Sequence, residues 1–436
     1  MTDVQFNRSI PVRYDVDIFI AGGGPAGIAA ALAAARQDKH VYIAEGQACF
    51  GGMGTSGLVP AFMRFTDGIH FLADGIGREI YDRMKRYADI PDDRPASSVS
   101  INVEALKRVY DDLVTESAVD FTFHTQVIGI EALNGHITHA VCAAKSGLFA
   151  VKARVFIDAT GDGDIAAWAG APYEKGDTDG NMMPGTLCSL WADIDWPNVS
   201  AQQGKALEQA FADGVFTIQD RHLPGIWRVG THTGGGNIGH TFGVDGTDER
   251  SLTTALLWGR KHMQEYQRYY TEYLQGFEQM QLVATGALMG LRETRRIMGD
   301  YVLCLDDFKR RAVFPDEIGR YAYPVDIHAS APDEASFKQF EEEFKALRYR
   351  DGESYGIPYR ILTPQGLDNT LVAGRCVSAD RFLQGSIRVM PGCYITGQAA
   401  GVAAAIAAEE NDSVHVIDVI ALKKRLIHMG AYLPNA

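Results

Sequence analysis

A glycine-rich turn between an apolar strand and an alanine-rich helix constrains this chain more than any other feature. The strand ends in Ile-Phe-Ile-Ala-Gly at 18–22, and Gly24, Pro25 and Gly27 follow. The first glycine permits a tight turn, Gly24 lets the backbone approach a pyrophosphate, and Gly27 lets the helix pack closely on the strand. Free N–H groups at the helix N-terminus attract phosphate. The pattern predicts a βαβ unit that binds a dinucleotide.

The segment after this helix adds the residue that such a unit needs for ribose. A second apolar strand, His-Val-Tyr-Ile-Ala at 40–44, is followed by Glu45 and Gly46, and Glu45 lies 18 residues after Gly27. An acid at the end of the second strand can accept hydrogen bonds from ribose hydroxyls. The three glycines therefore occur in the context that makes the motif specific.

Charge and length narrow the class of partner. The 436 residues carry a formal net charge of −14, so we expect small-molecule partners and neither nucleic acid nor an anionic membrane. The first 15 residues lack the layout of a signal peptide, and we expect a cytoplasmic protein. The six cysteines show no metal-ligand spacing, and Gly54 stands five positions after Cys49, where a redox disulfide would need a cysteine. Neither a metal site nor that disulfide is expected, and the oligomeric state stays open.

The order of patterns along the chain predicts a discontinuous domain. Dinucleotide-domain patterns cover residues 1–170 and return at 356–436, while 171–355 is aromatic and turn-rich, with helices expected at 203–213, 251–274 and 334–347. In the returning part, Gly397, Gly401 and Ala405 recur every fourth residue and predict a helix with a flat face for close packing. We expect an α/β fold in which a mixed α+β substrate domain, 171–355, is inserted into a Rossmann-type domain.

Five segments, in order, resemble the FAD-dependent oxidoreductase family, whose members share a glutathione-reductase-like flavin domain and are distantly related to the fumarate reductase flavoproteins. The segments are residues 22–45, GGMGTSG at 51–57, IDATGDGDIAAWAG at 157–170, LRETRRIMGDY at 291–301, and 373–391 with TGQAAG at 396–401. The resemblance implies FAD as the cofactor, in a glutathione-reductase-like Rossmann domain.

The resemblance also implies which residues hold FAD. The ADP half would be held by Gly22, Gly24, Pro25, Ala26, Gly27, Glu45 and Gly46, with Val127 at the adenine and Ala159, Thr160 and Gly161 beside the adenosine; the pyrophosphate and ribityl chain would lie along Gly51, Gly52, Met53, Gly54 and Thr55. Gly374-Arg375 stands where related flavoproteins have a glycine and an acid, so Asp380 replaces that acid as the candidate for the ribityl hydroxyls. A helix N-terminus formed by Thr396, Gln398 and Ala399, with Arg388, would stabilise the negative charge of reduced flavin.

Catalysis needs a proton acceptor or donor beside the flavin. His328 in the Tyr-Pro-Val-Asp-Ile-His segment is the first candidate, followed by His240, His232 and Arg388. A further cluster, Arg292, Arg295 and Arg296 beside Glu293, is consistent with two roles. The arginines could bind a substrate carboxylate or form structural ion pairs.

Together these features predict an FAD-dependent oxidoreductase that transfers hydride between a small organic substrate and flavin N5. The alternatives are a reductase of an activated C=C bond with Arg388 as proton donor, a non-catalytic flavin-binding or sensor protein, and a non-redox enzyme that keeps the fold. Two further glycine patterns, at 161–166 and 234–239, lack the helix or the ribose acid of a nicotinamide site. Reoxidation of the reduced flavin is therefore expected to use oxygen or an electron carrier.

Overall fold

The computed structural model describes residues 7–87, 98–199, 203–221, 225–332 and 347–436. The strands are β1 Val12–Ala21, β2 Val41–Ala44, β3 Ala61–Phe62, β4 Val99–Ser100, β5 Asp120–Thr122, β6 Gln126–Leu133, β7 His136–Ala144, β8 Gly147–Asp158, β9 Tyr173–Lys175, β10 Ser189–Ala192, β11 Ile226–Arg228, β12 Gly234–Gly236, β13 Gln281–Thr285, β14 Arg295–Ile297, β15 Glu317–Tyr321, β16 Tyr355–Pro358 and β17 Thr370–Val372. The helices are α1 Pro25–Ala35, α2 Ile76–Tyr87, α3 Val103–Glu116, α4 Asp164–Trp168, α5 Gln203–Ala212, α6 Glu249–Tyr273, α7 Leu305–Arg310, α8 Arg381–Ile387, α9 Met390–Glu410 and α10 Val419–His428. Two of the expected insert helices are found as α5 and α6, and the expected helix at 334–347 falls on residues outside the described ones.

A parallel sheet with the order β5-β2-β1-β8-β17 forms the centre of the molecule. Strand β8 continues into an antiparallel meander with β7 and β6. The segment β1-α1-β2 is the βαβ unit that the glycine turn predicts. The α/β fold class is confirmed.

Alternate residues of β1 explain why both faces of this sheet are covered. Ile18 and Ile20 point to a core shared with α1, α3 and α9, whereas Phe19 and Ala21 point to a second core with the meander. All four side chains are fully buried. A run of consecutive apolar residues is what a parallel strand buried on both faces requires.

Helix α9 lies against α1 through the predicted small-residue face. A Cβ atom on Gly397 would come within 2.2 Å of the Ala26 carbonyl oxygen, and one on Gly401 would come equally close, 2.2 Å, to the carbonyl oxygen of Ala30. The glycines thus permit backbone contact between the two helices. The prediction of close helix packing is confirmed.

The inserted part has a smaller core of its own. Strands β11-β12-β10-β13 form an antiparallel sheet, and α5 and α6 pack beside it around buried aromatic residues such as Trp191 and Tyr266. Residues of 297–325, which the sequence assigns to the substrate domain, pack in the main core instead. The second glycine pattern, 234–239, begins with strand β12, and it is not a turn before a helix.

Within the described residues, no single helix has the length and apolar character needed to cross a membrane. Among the described residues, the pair α8 and α9 together has the length and composition of a membrane span, but the two helices are bent by 92°. Helix α9 is buried in the core from Met390 to Ala408.

Candidate functional site

A cavity of about 540 Å³ opens where the parallel strands end. Gly22 after β1, Glu45 after β2, Ala159 after β8 and Gly374 after β17 all line it. Ligands of open α/β sheets bind at the carboxyl ends of the strands, and the volume is ordinary for a small-molecule site. Residues of the inserted part, including Arg292 and His328, close the other side.

The three glycines of the first turn serve different purposes. A Cβ atom on Gly27 would lie 1.9 Å from the Gly22 carbonyl oxygen, and one on Gly22, whose φ is +93°, would lie 2.7 Å from the carbonyl oxygen of Ala159. These two positions must be glycine for the fold. A Cβ atom on Gly24 would meet no heavy atom within 4 Å. Gly24 therefore borders open space at the N-terminus of α1, as a pyrophosphate site requires.

Glu45 organises this turn and faces the cavity. Its Oε2 accepts the N–H of Gly23 at 2.7 Å, and its Oε1 accepts the N–H of Gln47 at 2.7 Å. Burial raises the pKa of Glu45, against the effect of these two bonds. Each carboxylate oxygen keeps a lone pair for a ribose hydroxyl.

Most residues predicted to hold the cofactor come together at this cavity. The lining includes Gly22, Gly24, Pro25, Ala26, Glu45, Gly46, Gly52, Met53, Val127, Ala159, Thr160, Gly161, Gly374, Arg375 and Arg388. Gly27, Gly51, Gly54 and Thr55 lie behind the lining. The N–H of Gly51 donates to the carbonyl of Gly23 at 2.8 Å, and Thr55 Oγ1 donates to the carbonyl of Phe50 at 2.5 Å, so they hold the loop in place.

The predicted helix N-terminus at Thr396, Gln398 and Ala399 is wrong. Helix α9 begins at Met390, with Pro391 in its first turn, so these three residues lie in its interior. Thr396 Oγ1 accepts the N–H of Gly374 at 3.1 Å, and Gln398 Oε1 accepts the N–H of Ile76 at 2.8 Å. The residues that bring the N-terminus of α9 to the cavity are Val389, Met390 and Cys393.

Asp380 is not among the described residues that line the cavity, and its ribityl role stays a prediction. It caps α8: Oδ1 accepts the N–H of Leu383 and Oδ2 accepts the N–H of Leu305, each at 2.7 Å. Arg375, in contrast, does line the cavity, but its guanidinium is bound internally, with Nη2 2.6 Å from Asp162 Oδ1 and Nη1 2.7 Å from the carbonyl of Leu291.

The predicted catalytic histidines separate into a buried pair and an exposed residue. His240 Nε2 and His328 Nδ1 are 3.0 Å apart, and both rings are buried. His232 is exposed before β12 and is not among the residues that line the cavity, so the structure does not bring it together with the buried pair.

The histidine pair belongs to a chain of charged groups that reaches into the cavity. Asp220 Oδ2 lies 3.0 Å from His240 Nδ1, and Asp326 Oδ1 lies 3.3 Å from His328 Nε2. Asp326 Oδ2 in turn accepts from Arg388 Nη2 at 3.0 Å. Asp326, His328 and Arg388 line the cavity, whereas Asp220 and His240 lie behind them.

Burial and neighbouring charges shift the pKa values of two groups in this row of side chains. Burial would raise the pKa of Asp326, but the charges of His328, Arg388 and Arg292 outweigh it and lower that pKa well below its usual range. Burial lowers the pKa of His240, although Asp220 opposes the shift. His240 Nδ1 faces Asp220 and its Nε2 faces His328 Nδ1, so the imidazole of His240 connects the two residues. His328 Nε2 faces Asp326 at the cavity wall.

Two of the three arginines in 291–301 form the ion pairs that the sequence allows. Arg295 Nη1 pairs with Asp164 at 2.7 Å, and Arg296 Nη1 pairs with Glu293 at 3.2 Å. Arg292 forms no ion pair with any described carboxylate. Its Nη1 donates to the carbonyl of Pro184 at 2.7 Å and to Thr186 Oγ1 at 2.9 Å. Burial lowers the pKa of Arg292 to about 10.

A family model described as FAD dependent oxidoreductase matches residues 17–426. The chain belongs to the FAD-dependent oxidoreductase family.

The chain is also similar to several solved structures, and the first one below supports the fold. A geranylgeranyl bacteriochlorophyll reductase-like protein from Thermoplasma acidophilum is 12% identical, with a TM-score of 0.52 over 95% of this chain and 82% of that chain. A p-nitrophenol 4-monooxygenase from Pseudomonas putida DLL-E4 is 11% identical, with a TM-score of 0.45 over 95% and 84% of the two chains. An L-proline dehydrogenase from P. horikoshii is 12% identical, with a TM-score of 0.44 over 93% and 95%. None of the curated proteins matches the chain.

The residues of this oxidoreductase fit FAD. The open space at Gly24, the carboxylate of Glu45 and the strand ends around the cavity match a pyrophosphate and a ribose. In the described part of the chain, no group of three or more His, Cys, Asp or Glu side chains is arranged to hold a metal ion.

Sequence reasoning missed three members of the site. Asp326 stands two residues before His328, and this spacing in an extended segment places both side chains on one side, so a signal was present. Tyr323, which lines the cavity and donates to Asp326 Oδ2 at 3.3 Å, belongs to the same segment. Asp220 is 20 residues from His240, and no local pattern connects them.

Proposed function

We propose that this FAD-dependent oxidoreductase is a dehydrogenase or oxidase that removes a hydride and a proton from a C–OH or C–NH group of a small organic substrate, with His328 accepting the proton. The observation that carries the proposal is the position of His328: it lines the cavity and is hydrogen-bonded to His240, which is itself paired with Asp220. FAD, when bound, supplies a hydride acceptor at N5.

The chain's own residues explain how His328 performs this role. His328 Nδ1 lies 3.0 Å from His240 Nε2, and His328 Nε2 lies 3.3 Å from Asp326 Oδ1, so both ring nitrogens are held at the cavity wall. The hydroxyl or amine proton is transferred to Nε2 on the side that faces Asp326. As that proton arrives, the O–H or N–H bond breaks and the C–O or C–N bond gains double-bond character. The imidazolium formed is stabilised by Asp326, which Arg388 keeps ionised.

The contacts of Arg388 argue against the alternative of a C=C reductase. A proton donor to an alkene would have to release a proton from this guanidinium. Arg388 Nη2 instead donates to the side chain of Asp326 at 3.0 Å and to its carbonyl at 2.9 Å. Both contacts engage Nη2 of Arg388 with Asp326 and not with a substrate carbon. Reoxidation of the reduced enzyme is assigned to oxygen or an electron carrier as part of the same proposal.

Anaerobic mixing tests the proposal. The FAD-loaded protein is mixed with alcohols, amines and hydroxy acids, and bleaching of the flavin bands is followed. His328→Asn keeps an N–H donor for His240 but no proton acceptor, and we expect its flavin reduction to be about 10²–10⁴-fold slower. His232→Asn, the same substitution at the exposed histidine, should reduce at the rate of the unmodified protein.

Two outcomes would count against this function. His328→Asn reducing as fast as His232→Asn would remove the histidine from the chemistry. A flavin that no substrate bleaches, but that an enone or enoate reoxidises after dithionite reduction, would favour the C=C reductase, and a flavin inert in both directions would favour a sensor protein.

A further inference from the structure

Arg292 forms no close ion pair with a described residue, although the charges of Asp326 and Asp220 act on it from a greater distance. Asp326 pairs with Arg388 at 3.0 Å, so that cation is compensated. Glu293, the neighbour of Arg292, is 3.2 Å from Arg296 and 3.3 Å from Arg381, so its charge is shared by two other arginines. Arg292 is 6% exposed and lines the cavity with no carboxylate partner among the described residues. A buried arginine without a close ion-pair partner is suited to bind an anionic ligand in the cavity.

The guanidinium of Arg292 is held in a fixed orientation. Both protons of Nη1 have acceptors, the carbonyl of Pro184 and the hydroxyl of Thr186. The backbone on either side is also fixed: the N–H of Gly290 donates to the carbonyl of Thr186 at 2.9 Å, and Gln384 Nε2 donates to the carbonyl of Arg292 at 2.8 Å. The charge is therefore positioned before any ligand arrives.

The opposite edge of the guanidinium, formed by Nε and Nη2, has no hydrogen-bond partner in the described part of the chain. Neither atom is among the sealed, unpartnered polar atoms of the described interior, and Arg292 lines the cavity. Two parallel N–H donors on this edge match the two oxygens of a carboxylate. A neutral amide offers one such acceptor and carries no charge.

We infer that the substrate is a small carboxylic acid whose carboxylate is bound by Arg292 and whose oxidised hydroxyl or amine faces His328. This inference rests on the proposed function for the second half of the statement, and on Arg292 alone for the first half. Asp326, the other charged acceptor at the wall, does not compete for the carboxylate because Arg388 and His328 surround it.

Binding, not turnover, tests the carboxylate site. The FAD-loaded protein is titrated with propionate and with propionamide, two probes of nearly equal shape, and the perturbation of the flavin absorption bands gives each Kd. We expect propionate to bind at least tenfold more tightly than propionamide to the unmodified protein. Equal affinity of the unmodified protein for propionate and propionamide would overturn the inference.

Two variants then assign the binding to one residue. Arg292→Gln should weaken propionate at least 100-fold and leave propionamide within threefold, whereas Arg292→Lys, which keeps the charge but loses the two-donor edge, should weaken propionate about tenfold. Arg295→Gln, at a neighbouring arginine paired with Asp164, should leave the affinity for propionate unchanged. Propionate bound as tightly by Arg292→Gln as by the unmodified protein would overturn the assignment.

The two proposals can fail separately. Loss of propionate selectivity in Arg292→Gln with unchanged flavin reduction in His328→Asn would support the carboxylate site and refute the role of His328. If Arg292→Gln kept its selectivity for propionate and His328→Asn lost flavin reduction, the carboxylate site would be refuted and the role of His328 supported. A thermal melt and the ratio of flavin to protein for each variant show that it is folded and loaded.

Discussion

Replacement of Gly24 by valine is expected to abolish FAD binding while the fold survives. Gly24 adopts φ −71° and ψ −176°, an extended conformation that valine accepts readily. Its Cβ would meet no heavy atom of the protein within 4 Å. Because Gly24 caps α1 without a side-chain hydrogen bond, valine should change the free energy of unfolding of the apo-protein by no more than about 1 kcal/mol.

The cost to the cofactor is much larger. The two methyl groups of valine would fill the space in front of the free N–H groups of α1, where the pyrophosphate is expected. A hydrogen bond to a charged group contributes about 1.5–3 kcal/mol, so loss of two such bonds removes about 3–6 kcal/mol. At about 1.4 kcal/mol for each factor of ten, FAD affinity should fall at least about 100-fold.

Three measurements decide this prediction: the flavin-to-protein absorbance ratio after purification, an FAD titration of the apo-protein, and urea unfolding of the apo-protein. Gly204→Val is the matched control, since Gly204 is exposed in α5 and its Cβ would also meet nothing within 4 Å. Gly27→Ala is the opposite control, because its Cβ would lie 1.9 Å from a carbonyl oxygen and should disrupt the fold itself. A Gly24→Val protein with a full complement of flavin would refute the reasoning, and so would one that fails to fold.

The remaining predictions concern stability. Asp158 is fully buried, and burial raises its pKa to about 6 against hydrogen bonds from Thr160 and Ala166. The folded state therefore holds a proton that the unfolded state releases, and the free energy of unfolding should fall by up to about 3 kcal/mol as pH rises from about 4 to 6. Urea unfolding across this window should show a shallower pH dependence in Asp158→Asn, and an unaltered dependence would contradict the assignment. Asp380→Ala should cost about 2 kcal/mol in the same assay, because two backbone N–H groups lose their acceptor, while flavin content stays normal. Flavin lost at unchanged stability would support the ribityl role of Asp380.

Two differences between the sequence predictions and the structure have specific physical causes. Pro391, which suits a first helical turn, is the local signal that α9 begins at Met390, but the small-residue pattern around Gly397 drew the predicted start six residues too late. The position of Asp380 after Gly374 predicts a ribityl contact, yet an acid before a helix is equally suited to capping, and the structure shows Asp380 as a cap. In both cases, local capping chemistry explains the residue better than the cofactor does.

The sequence by itself determined the features that depend on neighbours along the chain. The spacing of Gly22, Gly24 and Gly27 sets a turn whose geometry is local, and the glycines of α9 form a face through the 3.6-residue repeat. The tertiary structure alone decided which charges are compensated. Arg292, Arg295 and Arg296 look alike in sequence. The positions of Asp164, Glu293 and the cavity leave Arg292 without a carboxylate partner among the described residues. Ion pairing and burial depend on distances between residues far apart in the chain, which a linear pattern does not contain.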